Sequence, residues 1–388
     1  MAQQRLIVRF QAAMSDIRAD DWDALVAPDL PHLSHAFLDA AETSGSVSTD
    51  TGWLPCHVTV ERGDALVGVM PLYQKAHSWG EFVFDWGWAD AYRRAGLEYY
   101  PKLVSATPFT PATASKLCVA PGDDAAAIRK AILTAVLSFA REQSFPSLHL
   151  QFIADDECAP CEAAGMILRQ DCQFHWHNAG YTDFDQFLAA FTSKKRKNAR
   201  RERRRVAEAG IRPDDLRATA ISDADLADAW RLCSYTFAAR GHTPYLNLEF
   251  FQTLRDTKPE ALEVVLARHG ERNVAAAILL RGADSLYGRY WGSDRDYHSL
   301  HFETCYYQGI EHCINEGITR FEPGTQGEHK VARGFLPVRT ASAHWLAHPQ
   351  FAAAIGDYIE REAAGVDQYM RYIDGHSPFR AVDSGDAS

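Results

Sequence analysis

Short apolar runs that could be hairpin strands recur in two pairs of segments. The first pair is His57-Val-Thr-Val60 with Ala65-Leu-Val-Gly-Val-Met-Pro-Leu-Tyr73, and the second is 262–268 with Asn273-Val-Ala-Ala-Ala-Ile-Leu-Leu280. Short apolar runs of this kind predict strands, and the Gly-bearing turns at 62–64 and 269–272 make each pair a hairpin. Downstream of each hairpin, after further strand-like sequence, the apolar spacing changes to that of a helix and then back to a strand: 125–143 then 147–152, and 301–315 then 318–322. Hairpin, strand, helix, strand thus appears twice. Helices alternating with strands predict an α/β (α+β) fold built as a mixed sheet flanked by helices, and the repetition predicts two copies of it. We place the boundary near Gly180, giving lobes of 1–180 and 181–388.

Each half also opens on a short amphipathic helix. Ser34 is placed to cap one carrying Phe37, Leu38 and Ala41, and Ser222 with Asp225 to cap another carrying Leu226, Trp230, Cys233 and Phe237. Residues 1–10 alternate like a strand and lack a signal peptide's apolar core and cleavage site, so the cytoplasm is the default address. In the first half, 82–94 sets aromatics, acids and arginines together. As a loop it lines a cleft, with Asp85 and Trp88 as substrate contacts; otherwise its tryptophans cover a seam between lobes.

Charge changes this picture in one place. The chain carries net −11, but 194–205 holds nine Lys or Arg against one Glu, so a stripe of +8 sits on a remainder of −19. The stripe belongs to a predicted helix, 193–210, begun by Thr192 or Ser193 and stopped by Gly210, with only Ala199, Val206 and Ala209 to pack. Such a helix presents either a solvated face or, through Lys194, Lys195, Lys197, Arg201 and Arg204, a phosphate contact for a coenzyme, a nucleotide-linked substrate or tRNA. No segment is long and apolar enough for a membrane span. Eight cysteines in 388 residues are too few for a disulfide scaffold. Cys158, Cys161, Cys172, His175 and His177 are zinc-type residues, but the second pair has the wrong spacing and 173–177 reads as a strand, so no metal is assigned.

Side chains able to move protons gather in the second half. Residues 285–293, Ser-Leu-Tyr-Gly-Arg-Tyr-Trp-Gly-Ser, read as a strand bringing Tyr290 and Trp291 to a substrate. In the helix after it, Glu303 and Tyr306 share a face, which suits Glu303 either as general base for an amine or as a helix-start cap. Between Phe321 and Phe335 two acids, a His, a Lys and an Arg surround three glycines. Acyl transfer needs a group to take the amine proton and donors for the developing oxyanion. Glu322, His329 and Lys330 supply those types, with Arg333 near an anionic group. The base is left open among Glu303, Glu322 and His329.

With these blocks in one order, from 42–45 and Gly52-Trp-Leu-Pro55 through 84–92 and 100–103 to Gly327-Glu-His-Lys-Val-Ala-Arg-Gly-Phe335, the chain resembles the FemAB-like N-acyltransferases. These are relatives of the Fem aminoacyl-transferases in the GNAT superfamily. The resemblance implies two tandem GNAT-like lobes, a basic helix near the substrate cleft, and transfer of an acyl or aminoacyl group to a small-molecule or peptide amine. The implied co-substrate is acyl-CoA or aminoacyl-tRNA, with no tightly bound cofactor. One motif departs from the pattern. The Gly-rich pyrophosphate loop of a CoA-dependent GNAT is replaced before His301 by Asp294-Arg-Asp-Tyr-His-Ser299, whose acids repel a diphosphate, and neither 108–111 nor 121–122 substitutes for it. Against the enzyme stands a non-catalytic binder of RNA or of an anionic cell-envelope precursor, using the basic helix alone.

Overall fold

The computed structural model describes residues 5–122, 124–325 and 327–380, and only the backbone of 215–218. The chain falls into two compact units, though not by a single cut. The first comprises the residues up to Asp171 with Tyr245–Lys258 and Arg339–Val366; the second comprises Cys172–Pro244, Pro259–Val338 and the residues from Asp367 on. This division differs from a boundary at Gly180 over 172–180 and in two later segments. Asn247 shows why the first of them belongs with unit 1. Its side chain caps the helix Leu248–Thr257 by accepting from Phe250 N (2.9 Å) and donates to Ser44 O (2.7 Å), while Phe250 packs on Phe37 (5.0 Å). The second is tied in by a bidentate ion pair from Arg169 to Glu362 (2.7 and 2.8 Å).

In unit 1 the predicted hairpin forms as His57–Arg62 and Ala65–Met70, flanked by Leu6–Gln11 and Cys118–Val119. Residues 1–4 of the predicted first strand lie outside the described residues. The long second arm expected over 65–73 breaks at Pro71, which has no N–H for a ladder, and Tyr73–Lys75 joins a second sheet. That sheet runs Trp53–Pro55, Tyr73–Lys75, Lys102–Ser105, Ser147–Ile153 and then the 341–346 stretch of Leu336–Leu346. All its pairs are antiparallel except Lys102–Ser105 with Ser147–Ile153, because the helix Ala125–Glu142 carries the chain back between those two. This helix buries Ile128, Ile132, Leu133, Val136 and Leu137 against Val58, Val60 and Met70, the apolar face its spacing requires.

Unit 2 repeats the plan. Its sheet runs Ile211–Arg217, Leu262–His269, Arg272–Arg281, Ser285–Ser293, Arg320–Glu322 and the end of Ile167–His177. Again one pair is parallel, Ser285–Tyr287 with Arg320–Glu322, around a helical crossover from Leu300 to Glu316. The caps form as expected, Ser34 accepting from Phe37 N and Ser222 from Asp225 N. Each unit is thus a mixed, mostly antiparallel sheet flanked by helices.

Candidate active site in the second unit

The strand Ser285–Ser293 shapes the site through two glycines and a bulge. A Cβ on Gly292 would lie 1.9 Å from Leu232 O, so only glycine lets this strand approach the helix Asp223–Ala238. At Gly288 the strand meets the backbone of Pro323, just past its parallel neighbour. Opposite Leu279 and Ile278 stand Gly288 and Tyr290, which leaves Arg289 as the extra residue of a β-bulge. Bulges re-aim side chains, and here the strand opens onto a cavity of about 80 Å³ lined by Arg289, Tyr290, Trp291, His301, Cys305 and Tyr306 with apolar neighbours.

The far wall comes from the crossover helix, whose residues Glu303–Tyr307 are wound as a π-helix, a local widening that often marks functional positions. Tyr306 Oη stands 2.9 Å from His329 Nε2, and His301 packs on both rings (5.2 and 5.8 Å). Burial, then the charges of His329, Arg333 and Lys330, holds His301 down at about 4, and burial and the neighbouring Lys330 and Arg333 lower His329 as well. Burial raises the Tyr306 phenol far above its ordinary range. At neutral pH the cavity therefore meets a neutral phenol that is bonded in turn to a neutral imidazole.

Lys330 is 2% exposed and donates from Nζ to Gly324 O at 2.5 Å; burial brings its ammonium down to about 7. This bond ties Lys330 to the backbone at Gly324. Arg333 lies over the Phe302 ring (3.3 Å) and forks onto Glu202 (2.7 and 3.2 Å), so its charge is already neutralised. Glu322 is buried and ion-paired with Arg320 (3.2 Å), with His175 at 3.7 Å.

Glu303 does not line the cavity. Its carboxylate is 5% exposed, accepts twice from Arg203 Nε (3.1 and 3.2 Å) and once from Gln308 Nε2 (2.7 Å), and Arg203 also reaches Glu311 (2.6 Å). A base for an amine needs a free lone pair facing substrate, and Glu303 spends its own on an ion pair.

The basic helix forms over Ser193–Glu208 and ends at Gly210, whose φ of +74° suits a left-handed stop. Ala199 and Val206 are buried, but Ala209 is exposed. Glu202 and Arg203 take its place as inward contacts, and this ionic seam is what fastens the helix. Lys194, Lys197, Arg201 and Arg204 are exposed and Lys195 is half-buried. Arg201 donates to Asn198 and Arg204 pairs with Glu208.

Asp85 and Trp88 belong to unit 1 and do not form a loop surface. Residues Trp86–Arg94 are helical, with Trp88 buried against His344 (5.0 Å) beneath Arg169. Asp85 is bonded by Tyr99 (2.7 Å) and the fully buried Lys102; burial opposes its charge, but that ammonium holds its carboxyl well below the usual range. Among the described residues no group of three or more His, Cys, Asp or Glu is placed to hold a metal ion, and Cys158 and Cys161 lie on the helix Asp155–Ala163.

Of the residues singled out in the sequence, Tyr290, Trp291 and Tyr306 therefore line one cavity, and His329 is bonded to the Tyr306 hydroxyl. Arg289, His301 and Cys305 were missed. Only Arg289 carries a local signal, a charged residue between two strand glycines.

The family model for peptidoglycan biosynthesis/recognition proteins matches residues 13–381, nearly the whole chain. The chain belongs to the FemAB-like family. No curated protein matches it in sequence. Similar folds occur in FemX (TM-score 0.54, 11% identity, 91% of this chain and 100% of that one). Another is the C-terminal domain of a putative lysylphosphatidylglycerol synthetase from Agrobacterium fabrum (0.53, 11%, 88% and 95%). A third is a conserved protein of unknown function from Bacteroides thetaiotaomicron (0.52, 12%, 88% and 100%). At these identities the likeness speaks to the fold of this FemAB-like chain. No helix among its described residues is long and apolar enough to cross a membrane.

Proposed function

We propose that this FemAB-like protein is an N-acyltransferase, moving an acyl or aminoacyl group from a phosphate-bearing carrier, acyl-CoA or aminoacyl-tRNA, to an amine held in the unit 2 cavity. The observation that carries the reading is the Tyr306–His329 pair, a neutral proton relay at the wall of a cavity. The amine nitrogen attacks the acyl carbonyl, a C–N bond forms, and the C–S or C–O bond to the carrier breaks. The amine proton passes to Tyr306 Oη as the phenol's own proton moves to His329 Nε2, and it is then returned to the departing thiolate or alkoxide. The family's description supports an acceptor from cell-envelope chemistry.

For the carrier, the exposed Lys194, Lys197, Arg201 and Arg204 offer phosphate contacts. The crossover helix begins at Leu300 behind Asp294 and Asp296, an unfavourable seat for a pyrophosphate. This favours the tRNA donor. The test incubates the protein with an acyl-CoA panel and with charged tRNAs, reading thermal stabilisation and product mass. Stabilisation and transfer with charged tRNA alone is expected. Transfer from CoA alone reverses the donor, and steeply salt-dependent RNA binding without transfer from any donor makes the protein a binder.

A further inference from the structure

Arg289 is the bulged residue of its strand and lines the cavity. Among the described residues it has no hydrogen bond and no carboxylate partner, and its Nε is buried without an acceptor. Two residues on, Trp291 lines the same cavity with its indole Nε1 also buried and unbonded. Two orphaned buried donors in one small cavity are unusual, because an unmade bond to a buried polar group costs more than a made one gains. Other charged residues nearby are matched: Glu303 with Arg203, Glu322 with Arg320, Arg333 with Glu202. Arg289 alone faces a space and waits for an acceptor.

We infer that Arg289 and Trp291 form a carboxylate-binding site in this cavity, and that the substrate held there carries a carboxylate. Both orphans are donors, so the ligand supplies acceptor oxygens. Charge decides among acceptors. No acid among the described residues lines the cavity, His301 is held neutral, and burial leaves Arg289 still charged, with its value brought down only to about 10. One fixed positive charge matches a monoanion better than a phosphate dianion, and a guanidinium fork with an adjacent N–H suits the planar carboxylate. The same charge repels the free ammonium of an aminoacyl ester. Resting on the acyl-transfer reading, the carboxylate therefore belongs to the amine acceptor, an amino acid or a peptide terminus anchored at Arg289 with its amine toward Tyr306.

The binding claim is tested apart from that reading, without any acyl donor. Thermal unfolding is followed with acetate, L-alanine and D-alanine, each against its carboxamide, and with inorganic phosphate, for the wild type, Arg289→Met and Trp291→Phe. Carboxylates are expected to raise the wild-type melting temperature and carboxamides not to. Arg289→Met should weaken carboxylate binding at least about tenfold and Trp291→Phe less. Without ligand, Arg289→Met should melt no lower than the wild type, since it removes a half-buried charge that no carboxylate pairs. A lower melting point shows that Arg289 serves the fold and overturns the inference. So do equal effects of carboxylate and carboxamide, stabilisation surviving in Arg289→Met, stabilisation by phosphate alone, or none by any carboxylate at tens of millimolar. Failure of acyl transfer with carboxylate binding intact would instead remove only the assignment to an acceptor.

Discussion

Replacing Glu303 by Gln separates a structural carboxylate from a catalytic one. The substitution keeps the shape and one acceptor oxygen but removes the charge facing Arg203. Breaking a buried ion pair costs about 3–5 kcal/mol when the surviving charge is stranded. Arg203 is not stranded: its side chain is 25% exposed and keeps Glu311 at 2.6 Å. Losing one charge-assisted pair under those conditions costs about 2 kcal/mol. For a unit of this size each kcal/mol moves the melting temperature by roughly 2–4 °C, so the variant should melt about 4–8 °C lower. Urea unfolding gives the same difference as a shifted midpoint at constant slope. Below that transition, transfer per folded molecule should change by less than about threefold. An unchanged melting temperature with a hundredfold loss of turnover would refute the placement of Glu303 outside the chemistry.

Other outcomes follow from buried groups. Lys330 has a folded value near 7 against 10.5 for an ordinary lysine. Below about pH 7 both states hold the proton and the burial penalty is complete; between about 7 and 10.5 the unfolded chain holds more protons, so stability rises with pH, by at most about 1.4 kcal/mol per unit. Lys75 in unit 1 contributes with the same sign, so Lys330→Met should reduce the rise seen in urea titrations from pH 6 to 10 without abolishing it. Gly292→Ala drives a Cβ into Leu232 O and should destabilise by about 3 kcal/mol or fail to yield folded protein, whereas Gly165→Ala, with open space but a φ of +82°, should cost about 1 kcal/mol; circular dichroism melts rank the two.

Much of the fold was legible because it is written locally. Both hairpins, the capped helices and the Ser285–Ser293 strand announce themselves by short apolar runs, turn glycines and cap residues within a few positions. What was illegible depends on partners far along the chain. Arg203 and Glu303 are a hundred residues apart, so a carboxylate at the start of a helix read as either a base or a cap when it is half of an ion pair. The aromatic stretch at 82–94 read as either a cleft loop or a seam cover because nothing near it discloses Lys102, the buried cation that draws Asp85 inward. Similarly, 245–258 and 339–366 give no local sign that they pack with unit 1. Of the candidate site, residue types were visible but their grouping was not: Tyr306 and His329 meet only because the crossover helix and the 328–333 turn come together, and Arg289 reaches the cavity only through its bulge.

The central claim, that the unit 2 cavity moves a proton through Tyr306, rests most directly on Tyr306→Phe. Phenylalanine keeps the ring packed against Phe335 and His301 and removes only the hydroxyl. Single-turnover transfer from whichever donor stabilises the wild type should fall by a hundredfold or more, the usual range for a lost acid–base group, with the melting temperature held within about 3 °C. Transfer at the wild-type rate in a well-folded Tyr306→Phe protein would contradict the account.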